Sequence, residues 1–194
     1  MKQFTKFLPI LITALIFSIN ITGCVNVIQK TVLNPDGSGS MNIKYWTKTS
    51  NIAGDELDIF GFTEEKVKAN YSSPNCQVSD VQINKDETSD SLSVVTLNLT
   101  FKNINKLSDS KSFSKIQASY GKGENGMEFK YTLLQDTSNA NMLGASDYKL
   151  VYEFVLPSDI IYTTGKKDGR TVTWKKTLAD LKEDVDFMAY LKAE

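Results

Sequence analysis

From Val95 to Phe101 the chain alternates without a break, with Val95, Leu97, Leu99 and Phe101 apolar and Thr96, Asn98 and Thr100 polar. A period of two over that length builds a strand with one buried and one wet face, and it excludes an amphipathic helix there. That strand is placed over 91–102, and similar runs recur. The stretch 25–33 is β-rich and Asn34-Pro35-Asp36-Gly37-Ser38-Gly39 reads as a turn. Met41, Ile43 and Tyr45 then alternate with Asn42 and Lys44, which completes a hairpin signal. Further strands are expected over 77–84, 113–120, 127–135, 149–156 and 171–174, with a turn over 163–170. The 149–156 run is apolar, β-branched or aromatic on both faces, so it is expected at the centre of a sheet, ending at Pro157.

One helix has clear local chemistry. Thr63 is placed to cap it, Glu64 and Glu65 face the positive end of its dipole, and Phe62 can staple onto Val67. It should reach about Tyr71 and stop before Pro74. Residues 49–62 read as loop, and 103–112 as polar and irregular with one helical turn. In the tail, Leu178, Leu181, Val185, Met188 and Leu191 fit a helical stripe, while Val185, Phe187, Ala189 and Leu191 fit a strand. A short helical turn over 178–183 followed by a closing strand is favoured, with 184–193 open between the two. The expected fold class is α+β: a mostly antiparallel β-sheet with one main helix, about 64–72, packed on it in a single domain.

The N-terminus carries an address. Lys2 and Lys6 precede an apolar run from Phe7 to Ile19 that is interrupted by Pro9, Thr13 and Ser18. The run is short for a membrane span, which takes roughly 20 residues, and fits a secretory h-region of about 7–15. Ile21-Thr22-Gly23-Cys24 closes it and resembles a bacterial lipobox, where small residues admit the peptidase and the cysteine thiol forms a thioether to diacylglycerol. The alternative is an ordinary cleaved signal with an incidental cysteine. The lipobox reading makes 1–23 a lipoprotein signal peptide and 24–194 one extracytoplasmic domain, anchored to the membrane through acyl chains on Cys24. Two or three chains hold stably where one does not. The strand begins almost directly after Cys24, so the tether is short. No second apolar run of spanning length follows, and anchoring is expected at one end only.

Composition narrows the chemistry. The 194 residues include no histidine, which removes Ser–His–Asp and Cys–His catalysis and histidine-held zinc or haem. Twenty-two basic against 23 acidic residues leave no surplus for nucleic acid. Cys76, the only thiol besides Cys24, is expected to be buried and inert. No metal or cofactor is expected. Gly121-Lys122-Gly123-Glu124-Asn125-Gly126 spells a dinucleotide fingerprint, but the alternating Met127-Glu128-Phe129-Lys130-Tyr131 follows it instead of a helix, so a glycine hairpin turn is the better reading. Ser108-x-x-Lys111 and Ser112-x-x-Lys115 match a serine–lysine signature that lacks its later elements and read as accidental. Asn34-Pro35-Asp36-Gly37 resembles half a calcium loop whose other ligand positions fall on Val32 and Ile43, so it is a turn. The acidic groups Asp55-Glu56-x-Asp58, Asp86-Glu87 and Glu183-Asp184-x-Asp186 are expected on the solvated surface.

Two segments are similar to a known family. Val32-Leu33-Asn34-Pro35-Asp36-Gly37-Ser38-Gly39 resembles the opening of LppM-domain bacterial lipoproteins. Leu156-Pro157 through Gly165, with Asp168-Gly169-Arg170-Thr171-Val172-Thr173-Trp174, resembles their closing hairpin. Thr164-Gly165 stands where Asn-Gly is expected, and the C-terminal membrane helix common in that family is not seen. The resemblance implies lipid or glycolipid binding at the cell envelope without catalysis. Its motif residues read as turn and core, so no functional site carries over.

The expected function is therefore a non-enzymatic, membrane-anchored envelope lipoprotein that binds a lipid or other apolar ligand in a cavity between sheet and helix, near the membrane surface. A structural lipoprotein holding a protein partner is the alternative, and a carboxylate-based hydrolase is a third reading. Tyr131, Tyr152, Phe154 and Trp174 either line such a cavity or fill a dry core. Met142-Leu143 interrupts an otherwise polar stretch and is the candidate ligand or membrane contact. Val25 follows the cysteine and no aspartate stands there, so in a cell with two membranes the outer one is expected.

Overall fold

The computed structural model describes residues 25–48, 52, 60–86, 92–123, 126–141 and 144–192. In chain order its strands are β1 (Asn26–Leu33), β2 (Gly39–Lys48), β3 (Cys76–Asp86), β4 (Leu92–Phe101), β5 (Ile116–Gly123), β6 (Gly126–Leu133), β7 (Lys149–Val155), β8 (Ile160–Thr163), β9 (Lys166–Asp168), β10 (Thr171–Thr177) and β11 (Val185–Leu191). The helices are α1 (Glu64–Tyr71) and the single turn α2 (Thr137–Ala140), with 3-10 turns at Ile104–Asp109, Lys111–Phe113, Ala145–Asp147 and Leu178–Lys182. The strands form two open sheets, one of seven in the order β3-β4-β2-β1-β7-β10-β9 and one of four in the order β5-β6-β11-β8. Pairing is antiparallel throughout except between β1 and β7. The α+β, mostly antiparallel architecture is as expected.

Local chemistry sets most of these elements. Asn34 to Ser38 closes the β1–β2 hairpin with Gly37 at φ 82°, and the Asp36 carboxylate accepts from the Ser38 amide at 3.0 Å and its hydroxyl at 2.7 Å. The G-x-G-x-x-G segment is a hairpin connection, pairing Gly123 with Gly126 between β5 and β6. Helix α1 starts where Thr63 Oγ1 accepts from the Lys66 amide at 3.3 Å, and Lys68 reaches back to Glu64 at 2.6 Å. Phe62 sets its ring edge-on against Tyr45 at 5.4 Å. The tail resolves as a 3-10 turn, boxed by Thr177 and Asp180, followed by strand β11 with Val185, Phe187, Ala189 and Leu191 inward.

Two expectations are corrected. Phe113 does not open a strand: it ends a 3-10 turn, fully buried, with its ring edge-on to Tyr71 at 5.6 Å, and β5 starts at Ile116. A ring locked into the core at that point outweighs its β propensity. The 163–170 segment is not a simple turn, because it carries the end of β8 and all of β9, whose Lys166-Lys167-Asp168 is exposed and shows no alternation to read.

The inner face of the large sheet is covered in two halves. Over β7 and β10 lies the small sheet, with Phe129, Tyr131 and Phe187 meeting Tyr152, Phe154 and Trp174. Centroid distances there are 4.8 Å for Phe129–Phe154 and 5.2 Å for Phe187–Trp174. Over β2 lies α1, with Tyr71 stacked on Tyr45 at 6.2 Å. Cys76 is buried in this core with a free thiol.

Candidate functional site

The seam between the two halves does not close. A cavity of about 400 Å³ lies there, within the range of small-ligand sites. Its walls come from Val25 just before β1, from β1 (Val27, Gln29), β2 (Ile43), β7 (Leu150, Tyr152), β5 and β6 (Ile116, Leu133) and α1 (Tyr71). Its exposed lining residues, Ser114, Lys115 and Ser138, lie just before β5 and just after β6, and its wall includes the starts of β1 and β7, which run parallel with Val27 opposite Leu150. The segments before β7 and β11 bound the mouth through Asp136, Ser138, Asn139, Leu178 and Leu181. The expected cavity between sheet and helix thus exists, with the second sheet forming much of its roof.

Apolar walls dominate, but two polar groups of sites interrupt them. At the mouth, Asp136 caps α2. Its burial raises the carboxyl's pKa, but hydrogen bonds from Ser138 and Asn139 and the charge of Lys115 outweigh this and hold it below the ordinary range. The Oδ1 of Asn139 is buried with no partner among the described residues. Deeper in, Gln29 and Tyr152 stand opposite each other across the β1–β7 pair. Tyr131 reaches over from the small sheet and donates to Gln29 Oε1 at 3.2 Å, and Gln29 Nε2 donates to Thr31 Oγ1 at 3.1 Å. Burial pushes the phenols of Tyr71, Tyr131 and Tyr152 well above the tyrosine range, so all three stay neutral.

The four aromatic residues named from the sequence divide. Phe154 and Trp174 fill dry core, Tyr131 packs above the cavity floor, and Tyr152 lines it. Cys24, Met142 and Leu143 lie outside the described residues, as do Asp55, Glu56, Asp58 and Glu87. Asp184 and Asp186 are tied into the scaffold: Asp184 accepts from the Gln135 amide, and Asp186 from Thr132 while pairing with Lys130 at 2.8 Å. Ser112 and Lys115 both border the cavity, but the Ser112 hydroxyl is engaged by Tyr71. Among the described residues no cluster of three metal-ligating side chains forms, and no helix is long and apolar enough to cross a membrane. The sequence reading missed Gln29 and Tyr71. Gln29 carried a signal, because it sits in the inward phase of β1 with Val25 and Val27.

No protein-family model matches the chain, and no curated protein does. Among solved structures the chain is similar to the NMR structure of the folded domain of the LppM protein of Mycobacterium tuberculosis. The two share 12% identity over 89% of this chain and 92% of that one, with a TM-score of 0.48.

Proposed function

We propose that this chain is a non-enzymatic envelope lipoprotein, distantly LppM-like, held to the membrane by acyl chains on Cys24 and binding a lipid or other apolar ligand in the seam cavity. One observation carries the reading: the cavity wall begins at Val25, the residue next to the lipobox cysteine, so anchor and cavity mouth share one end of the molecule. A lipid leaving the bilayer would meet the opening without crossing water. The lack of histidine and the structural engagement of Asp184, Asp186 and Ser112 support a binding role without chemistry. With no aspartate after Cys24, the outer membrane is the proposed site in a cell that has two.

A second reading, a lipoprotein that holds a protein partner, is favoured by Ile161 and Tyr162, 61% and 54% exposed on the sheet-edge strand β8. Organic extraction of the purified acylated protein, followed by mass spectrometry, separates the two. A lipid recovered at one per chain is expected. A clean extract together with a co-purifying protein would overturn the cavity reading in favour of the second.

A further inference from the structure

The floor of the cavity is more specific than its walls. Tyr152 is 6% exposed and Gln29 is 2% exposed, yet both line the cavity. The Tyr152 hydroxyl makes no hydrogen bond among the described residues. The Gln29 carboxamide has one N–H committed to Thr31 and its oxygen committed to Tyr131, which leaves its second N–H unspent. Because Gln29 and Tyr152 are register partners on adjacent strands, both side chains rise from the same face of the sheet, their backbones about 4.8 Å apart. A hydrocarbon chain alone would leave both unsatisfied in an apolar enclosure, an arrangement that proteins avoid. Among the described residues that line the cavity, the only charged ones are Lys115 and Asp136, both at its mouth, while Gln29 and Tyr152 and their neighbours Thr31 and Tyr131 are neutral.

The geometry points to a ligand that carries a neutral acceptor oxygen, an ester or ketone carbonyl, seated on Tyr152 Oη–H and Gln29 Nε2–H, with its hydrocarbon running out towards the mouth. Gln29 lies four residues along the chain from Val25, about 13 Å at roughly 3.3 Å per residue, so the oxygen sits well inside the cavity. A carboxylate is disfavoured at that depth, because a buried anion without a cation costs far more than a carbonyl. This assignment rests on the cavity reading above and names the class of its ligand.

The test compares hexadecane with 2-hexadecanone, each ¹³C-labelled, titrated into the acylated full-length protein and its Tyr152→Phe variant and followed by ¹³C NMR. The wild type is expected to prefer the ketone by about three- to tenfold, the range of one net hydrogen bond, with a downfield bound carbonyl signal. Tyr152→Phe should lose both the preference and the downfield signal, the preference being read as the ratio of ketone to hexadecane affinity within each protein. Equal affinities in the wild type, or a preference that survives in the variant, overturn the assignment and leave the floor to bound water, with the cavity reading intact. If neither probe binds the wild type, the cavity reading falls and this assignment falls with it.

Discussion

Tyr45 is a core residue with a polar end. Its ring is wholly buried, and its hydroxyl meets the carbonyls of Phe60 at 2.7 Å and Gly61 at 2.6 Å, which fixes the chain entering α1 and sets Phe60 against the cavity. Tyr45→Phe keeps the ring contacts and strips both carbonyls of their donor. The expected loss is about 1–2 kcal/mol of unfolding free energy, read from urea titration. Asp180 gives a pH-dependent counterpart. The Thr177 amide, donating at 2.7 Å, holds its carboxyl below the ordinary 3.8. A depressed pKa adds stability that is complete above the unfolded value and is lost as pH falls through the folded one. The urea-midpoint gap between wild type and Asp180→Asn should therefore persist from neutral pH down to the ordinary carboxylate range and close as pH falls below it. A gap unchanged in acid would show that the ionised carboxylate contributes nothing. Single residues were also where the sequence was least explicit. Gln29 breaks the apolar inward phase of β1, but only the opposing Tyr131 and Tyr152 turn that break into a cavity floor.

At the scale of elements, the β8–β9 connection and the β9–β10 hairpin each hold a glycine, for different reasons. Gly165 is there for space: a Cβ would fall 2.5 Å from Val172 Cγ1 and 2.7 Å from the Trp174 indole, whose Nε1 donates to Thr164 Oγ1. Gly169 is there for backbone: φ is 59° and nothing lies within 4 Å of a Cβ. Gly165→Ala should cost about 1–3 kcal/mol by overpacking and disturb tryptophan fluorescence. Gly169→Ala should cost about 1 kcal/mol and leave the fluorescence alone, with Gly169→Asn recovering most of it. Equal effects at the two sites would refute the distinction. The elements that were legible in the sequence have short-range causes, such as the Thr63 cap, the Asn34–Ser38 turn and the alternation of β4. What was not legible depends on partners remote in sequence. Phe113 is held by Tyr71 and β9 exists only against β10, and the cavity is a mismatch between two covering layers that no local pattern encodes.

For the whole molecule, the parallel β1–β7 pair fixes polarity. Both strands start at the cavity mouth, and β7 ends beside the 169–170 turn, where Val155 pairs with Thr171. Ser138, exposed at the mouth, and Asp168, exposed beside that turn, therefore mark opposite ends of the large sheet. The Met142-Leu143 pair falls in the same connection as Ser138, between β6 and β7. If Cys24 is acylated, one peptide unit of about 3.8 Å separates the lipid from Val25 in the cavity wall, too little to let the domain turn over. The mouth end must then face the headgroups. Fluorophores placed through Ser138→Cys and Asp168→Cys, with Cys76 buried and Cys24 acylated, read this directly. In liposomes the probe at 138 should shift to the blue and be quenched by brominated lipid, while the probe at 168 matches its emission in buffer. Cys24→Ser should abolish the shift at 138 and leave the protein off the vesicles. A response at 168 in place of 138 would turn the domain over and separate the cavity from the bilayer.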